Sequence, residues 1–318
     1  MNRRTLLFRT ASLAAVVGGA WWAREHLLWP APTLAFASDA ATPWLSWARR
    51  ATTPTIAVRI GGQDVIALVD SGAQYSVIDR ALFAQVGGGS VFNMPMVAYG
   101  VGGGAQVGRG TTLAVDLPGL AVTGLKAAIL DLGPLASEPG LATPLILGQD
   151  LLGQLVLRLD PAERRLRFIA RDGFTPEPAL APTAVHHSGG LTADVTVEGA
   201  AVRAVVDTGA SSLLSLDADT AAAAGLLDGR AARIGQSLVL GGVVSARIIE
   251  ARTVTFAEQL YRRVAVGVFD QPPLPGFPGG LIGMAAFEGR QAALDLGGGR
   301  LFVSRPLDLT IGGPAPRR

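Results

Sequence analysis

The chain has 318 residues, of which 41 are glycine, 20 proline and none cysteine, and only 16% are charged. That length can support two cores of ordinary size, while the lack of cysteine excludes a disulfide framework, a thiolate metal site and a cysteine nucleophile, and three histidines leave little for a histidine-based metal site or triad. The net charge of +2 belongs to the first 37 residues, where Arg3, Arg4, Arg9 and Arg24 outweigh Glu25; the remainder carries no basic stripe of the kind a nucleic-acid binder shows.

Arg3-Arg4 is followed by Leu6, Leu7 and Phe8, and then by the 14 uncharged residues 10–23. This is the basic start and apolar centre of an export signal, too short for a comfortable membrane span. The arginine pair is similar to a twin-arginine signal, and the general secretory route is equally open. Ala35-Phe36-Ala37 is the best cleavage point, yet it lies far past the apolar centre, so a cleaved leader and an uncleaved anchor both stand. The expectation is export to the periplasm, with residues 1–37 as signal or membrane tether and 38–51 as an N-terminal segment. Trp44 and Trp47 within it are expected to pack against a lobe.

Beyond it, short strands separated by glycine turns are predicted. TIAVRI at 55–60 and VIALVD at 65–70 flank a turn at 61–64, and a short helix over 80–86 stops at Gly87-Gly88-Gly89. Strand patterns follow at 111–117, 154–160 and 166–170. The proline-rich stretch 171–183 reads as a linker between a first lobe over 52–170 and a second over 184–306. The second lobe repeats the pattern, with a helix over 217–224 before Gly225, and 307–318 reads as a disordered tail. The fold class is all-β with a few short helices.

The halves align. VIALVDSGAQYSVID at 65–79 matches VRAVVDTGASSLLSLD at 202–217, and PLILGQDLLGQLVLRLD at 144–160 matches GGLIGMAAFEGRQAALDL at 279–296. Asp70 precedes Gly148 by 78 residues, and Asp207 precedes Gly283 by 76. A glycine hairpin lies between these marks in each half, at Gly102-Gly103 and at Gly241-Gly242. Repeats of this length imply two similar lobes rather than a solenoid.

Each aspartate ends an apolar strand and enters a tight turn whose glycine allows close backbone approach. One such turn would be unremarkable in any β protein. Two in matching lobes meet at a pseudo-twofold axis, where adjacent carboxylates must share a proton and divide into a base and an acid.

These residues resemble the retropepsin-like aspartic proteases in a fused, single-chain form, over about residues 52–306. The resemblance rests on Asp-Ser-Gly-Ala at 70–73, Asp-Thr-Gly-Ala at 207–210, Ile146-Leu147-Gly148 and Leu281-Ile282-Gly283. It implies two pepsin-like β-barrel lobes around a cleft, with Asp70 and Asp207 activating a water. It further implies that Ser71 and Thr208 cross-link the two active loops through hydroxyl-to-backbone hydrogen bonds, supported by Gly72 and Gly209. Tyr99-Gly100-Val101-Gly102 is similar to a pepsin-like flap tip, so Tyr99, Gly100, Gly102, Gly103, Gly241 and Gly242 are candidate flap residues. Ser71 stands where threonine is commoner, and the second hairpin has no aromatic tip, which leaves one closing flap or two. The implied activity is endopeptidase cleavage of an extended polypeptide by a monomer without metal or cofactor.

Three other readings compete with this one. Residues 100–105 fit a dinucleotide-binding glycine pattern, but they precede a strand rather than open a helix. His186-His187 are neighbours on an extended segment and point opposite ways, which suits solvated residues better than metal ligands. A peptide-binding module of the same shape without turnover is the rival function. Finally, Ala73 and Ala210 offer no hydroxyl to a catalytic carboxylate, which predicts best activity at mildly acidic to near-neutral pH.

Overall fold

The computed structural model describes residues 30–50, 52–87, 90–99, 105–138, 140, 142–187, 190–239, 242–270 and 279–306. The leader through residue 29, the hairpin tips at 100–104 and 240–241, and the tail 307–318 lie outside the described residues.

The first lobe is a closed barrel of six strands. In barrel order they are Thr55–Ile60, Gln63–Val69, Leu145–Leu147, Ser76–Asp79, Leu120–Leu130 and Ala105–Leu117, and the last returns to the first through Arg59 opposite Asp116. The second lobe closes in the same order with Leu191–Val197, Ala200–Val206, Gly280–Ile282, Leu214–Asp217, Gln259–Phe269 and Gly242–Phe256. Strands Phe92–Tyr99 and Ala232–Val239 extend each barrel into a hairpin. Alternation drives this closure. Val58, Ile60, Val65, Ala67 and Val69 point into the first core, and Val195, Val197, Val202, Ala204 and Val206 into the second.

Both short helices fall where the sequence places them. Asp79 caps Arg80–Val86 by accepting from the Ala81 and Leu82 amides, and Asp217 caps Ala218–Ala223 by accepting from Thr220. Gly87 ends the first in a left-handed conformation at φ 60°.

A third sheet ties the lobes together, in the order Leu180–Thr183, Arg300–Ser304, Ala292–Asp295, Leu155–Asp160, Arg165–Ala170 and Leu45–Ser46. Its central antiparallel pair sets Leu157 opposite Leu294 and Leu159 opposite Ala292, so the pseudo-twofold passes between one strand from each lobe. The symmetry reaches the ion pairs. Asp160 faces and pairs with Arg165, and Asp295 faces and pairs with Arg300. Arg158 is fully buried here, satisfied by Glu177 Oε2 at 2.7 Å and Gln291 Oε1 at 2.6 Å.

Two segments read as peripheral in the sequence contain strands. Within the stretch read as a linker, Leu180–Thr183 flanks the sheet as the counterpart of Leu45–Ser46; its Pro182 is tolerated because the strand is at an edge. Thr33–Phe36, including two residues of the suggested cleavage motif, pairs antiparallel with Leu120–Leu130 and packs Leu34 and Phe36 against the core. Trp47 also packs on the core, and Arg165 and Arg167 lie over the ring of Trp44.

A chain starting at Ser38 should therefore be less stable than one starting at Pro30. The loss expected from the missing ladder and two partly buried side chains is about 2–4 kcal/mol. Denaturant unfolding of the two chains measures it; equal midpoints would show the strand to be dispensable.

Among the described residues no helix is long and apolar enough to cross a membrane.

Candidate active site

Asp70 and Asp207 leave the ends of two equivalent strands, Gln63–Val69 and Ala200–Val206. Each strand runs parallel to a short buried one, and the pairing fixes each aspartate: the Asp70 amide donates to Leu147 O at 3.0 Å and the Asp207 amide to Ile282 O at 2.9 Å. The apolar-apolar-Gly segments thus form the floor beneath the two loops.

The glycine that ends each segment is required by contact. A Cβ at Gly148 would lie 2.6 Å from the Tyr75 carbonyl carbon, and one at Gly283 would lie 2.5 Å from Ser212 O, both backbone atoms unable to move aside. The next amide in each segment binds back to the loop. Gln149 N–H donates to Ala73 O and Met284 N–H to Ala210 O, both at 2.8 Å.

The loops are joined by a reciprocal set of buried hydrogen bonds. Ser71 N–H donates to Thr208 Oγ1 at 2.9 Å, and Thr208 N–H donates to Ser71 Oγ at 3.0 Å. Each hydroxyl then donates onward, Ser71 Oγ to Val206 O at 2.7 Å and Thr208 Oγ1 to Val69 O at 2.6 Å. Four bonds satisfy both amides and both hydroxyls with no water needed, which makes the junction rigid.

This junction presses the carboxyls together. Asp70 Oδ1 accepts from the Gly72 and Ala73 amides at 2.8 and 3.0 Å, and Asp207 Oδ1 accepts from Gly209 and Ala210 at 2.8 and 3.2 Å. The two side chains meet across the axis, where each acts on the ionisation of the other. The packing is close: a Cβ at Gly72 would lie 2.6 Å from Asp207 Cγ, and one at Gly209 would lie 2.5 Å from Asp70 Oδ2.

Burial raises both carboxyls above the ordinary aspartate range, with Asp207 held well above it because the Asp70 charge adds repulsion. The pair therefore holds on to a proton to higher pH than isolated aspartates would. The stability consequence follows in sign. A carboxyl whose folded pKa is raised supports the fold fully below its unfolded value, and that support is lost as pH rises through the folded value. Asp207→Asn should thus melt a few degrees above the parent at pH 7, with the gap closing toward pH 4. A gap that widened on acidification would contradict the shared proton.

Three side chains beside the first loop were not anticipated from sequence. Gln149 Nε2 donates to Ser71 O at 2.8 Å, and the Asp150 carboxylate accepts from Ser76 N–H and Oγ, while Ser76 Oγ accepts from Gly148 N–H. Lobe two has Met284 and Ala285 in place of Gln149 and Asp150, so the polar support is one-sided. The pair Gln149-Asp150 against Met284-Ala285 was the visible signal.

Of the other candidates, Tyr99 and Gly242 lie at the ends of their hairpin strands, and the side chain of Tyr99 is outside the described residues, as are Gly100, Gly102, Gly103 and Gly241. His186 pairs with Asp194 at 3.2 Å.

A family model described as aspartyl protease matches residues 56–151 and 193–286, once in each lobe. No curated protein matches the chain.

Proposed function

Since the matched segments cover more than half of it, the chain belongs to the aspartyl protease family, in a retropepsin-like two-lobed form, and we propose that it is an endopeptidase whose Asp70 and Asp207 share one proton and activate a water. The observation that carries this reading is the meeting of the two carboxyls across the lobe junction, each fixed by two loop amides. The ionised carboxylate takes a proton from water as its oxygen attacks the peptide carbonyl carbon. The neutral carboxyl gives its proton to the carbonyl oxygen. Collapse of the tetrahedral species then breaks the C–N bond as a proton passes to the leaving nitrogen. An extended substrate would lie between the lobes, held by strand-like backbone bonds beneath the hairpins.

The leader with Arg3-Arg4 supports assignment of this activity to an exported enzyme, released or tethered through its N-terminus.

The test is incubation of the full chain with an unfolded polypeptide, with and without a statine-type transition-state mimic. Internal cleavage that the mimic blocks, best at mildly acidic to near-neutral pH, is the expected result. Binding of the polypeptide without any cleavage across pH 3–8 would instead support the silent peptide-binding module.

A further inference from the structure

The two lobes present the same row of residues across five strands, and the rows differ in size and charge. In lobe one the register sets Phe92 opposite Gly110, Gly110 opposite Ala128, Ala128 beside Val77 and Val77 opposite Ile146. In lobe two the same pairings run through Arg233, Ile248, Gly267, Ser215 and Leu281. Both rows lie on the sheet face opposite the barrel core. Their neighbours Ile78, Leu145, Leu214 and Leu216 point into that core, and the row residues do not.

Lobe one fills this face. Val77, Ala128 and Ile146 form a second apolar cluster with Leu68, Leu130 and Leu132, capped by Ala73 and Tyr75 from the Asp70 loop. The Phe92 ring lies flush on Gly110, where any Cβ would overlap it, and Lys126 Nζ sits 4.9 Å from the ring centroid.

Lobe two leaves the face open. Serine replaces valine and glycine replaces alanine, and a cavity of about 480 Å³ remains, floored by Ser215, Ile248 and Gly267. Ser212 and Ala285 also line it. Ser212 lies on the loop that carries Asp207, and Ala285 follows the Gly283 segment beneath that loop, so the cavity flanks the lobe-two half of the site. Two arginines, Arg233 and Arg262, stand at the cavity, and among the described residues neither has an ion-pair partner. The third, Arg263, is engaged by Glu250 at 3.2 Å, and no carboxylate appears among the residues that line the cavity.

We propose that this cavity is a specificity pocket for an acidic side chain of the substrate, on the lobe-two side of the cleaved bond only. The methylene stem of a glutamate would cover Gly267 and Ile248, and its carboxylate would meet Arg233 and Arg262. Lobe one cannot match this, because Val77 and Phe92 occupy the corresponding space. The inference rests on the reading of Asp70 and Asp207 as a protease dyad.

Digestion of a diverse peptide mixture by the full chain, with cleavage sites identified by mass spectrometry, tests it. Glutamate or aspartate should be enriched about tenfold at one fixed position on one side of the cut. Arg233→Ala with Arg262→Ala should erase the enrichment while general cleavage persists, and Gly267→Leu should exclude long side chains at that position. A Cβ at Gly267 would lie 3.2 Å from Ser215 Oγ, a hydroxyl that can rotate aside, and in ordinary contact with Ser215 Cβ at 3.7 Å and Ile248 Cδ1 at 4.0 Å, with no backbone atom in the way. Cleavage without acidic preference, or a preference that survives both arginine changes, overturns the pocket. Failure of the protease reading is told apart by binding. The Asp70→Asn chain should bind a glutamate-containing peptide about tenfold more tightly than its glutamine counterpart, and equal binding overturns the pocket whether or not the parent cleaves.

Discussion

Asp70→Asn and Asp207→Asn should each lower kcat/KM on an unfolded polypeptide by roughly 10³–10⁴-fold, and the double variant should fall no further. The reason lies in the sharing of one proton. An amide in either place cannot be both the group that receives a proton from water and the group that returns one, so removing either member removes the unit. Both variants should fold, because asparagine keeps the oxygen that accepts from the Gly72 and Ala73 amides or from Gly209 and Ala210. Steady-state kinetics on a purified single variant decides the matter: near-parental turnover in either would remove the dyad from the mechanism.

Thr208→Val should cost about 3–5 kcal/mol of stability, whereas Thr208→Ser should cost about 1 kcal/mol or less. Valine has the shape of threonine but cannot accept from Ser71 N–H or donate to Val69 O, so two buried groups lose partners at once. Serine keeps both bonds, as Ser71 itself demonstrates on the other side of the axis. Denaturant unfolding read by circular dichroism gives the comparison. Activity should fall more steeply than stability in Thr208→Val, since the freed loop lets the carboxyls separate. A valine variant within about 1 kcal/mol of the parent would mean the cross-link contributes little.

Much of this architecture was legible because the duplication writes each mark twice. An Asp at the end of an apolar run, a helix-capping Asp, and an apolar-apolar-Gly recur in order, and the closed barrels follow from their alternation. What escaped was register. The strand Thr33–Phe36 was hidden behind an apolar leader that already had an explanation, and Leu180–Thr183 was hidden by its proline, Pro182, which forbids a central strand but not an edge. The recurrence of aspartate and arginine at Asp160 and Arg165 and again at Asp295 and Arg300 was present in the sequence. It gains meaning only when cross-strand pairing places the charges face to face. The difference between Val77 and Ser215 escaped for the same reason, because a one-residue length difference in the two loops blurs which positions correspond.

The antiparallel pair of Leu155–Asp160 and Ala292–Asp295, which joins the lobes, has a consequence for how such a cleft can diversify. Two free copies of a single lobe would assemble about a true twofold axis, so every change would be made twice and both flanks of the cut would have to recognise the same thing. They would also come apart on dilution. Placing both lobes on one chain makes their encounter intramolecular, with an effective concentration that dilution cannot lower. One flank is then free to drift in recognition while the other holds the junction rigid, and a substitution at Ser215 leaves Val77 untouched.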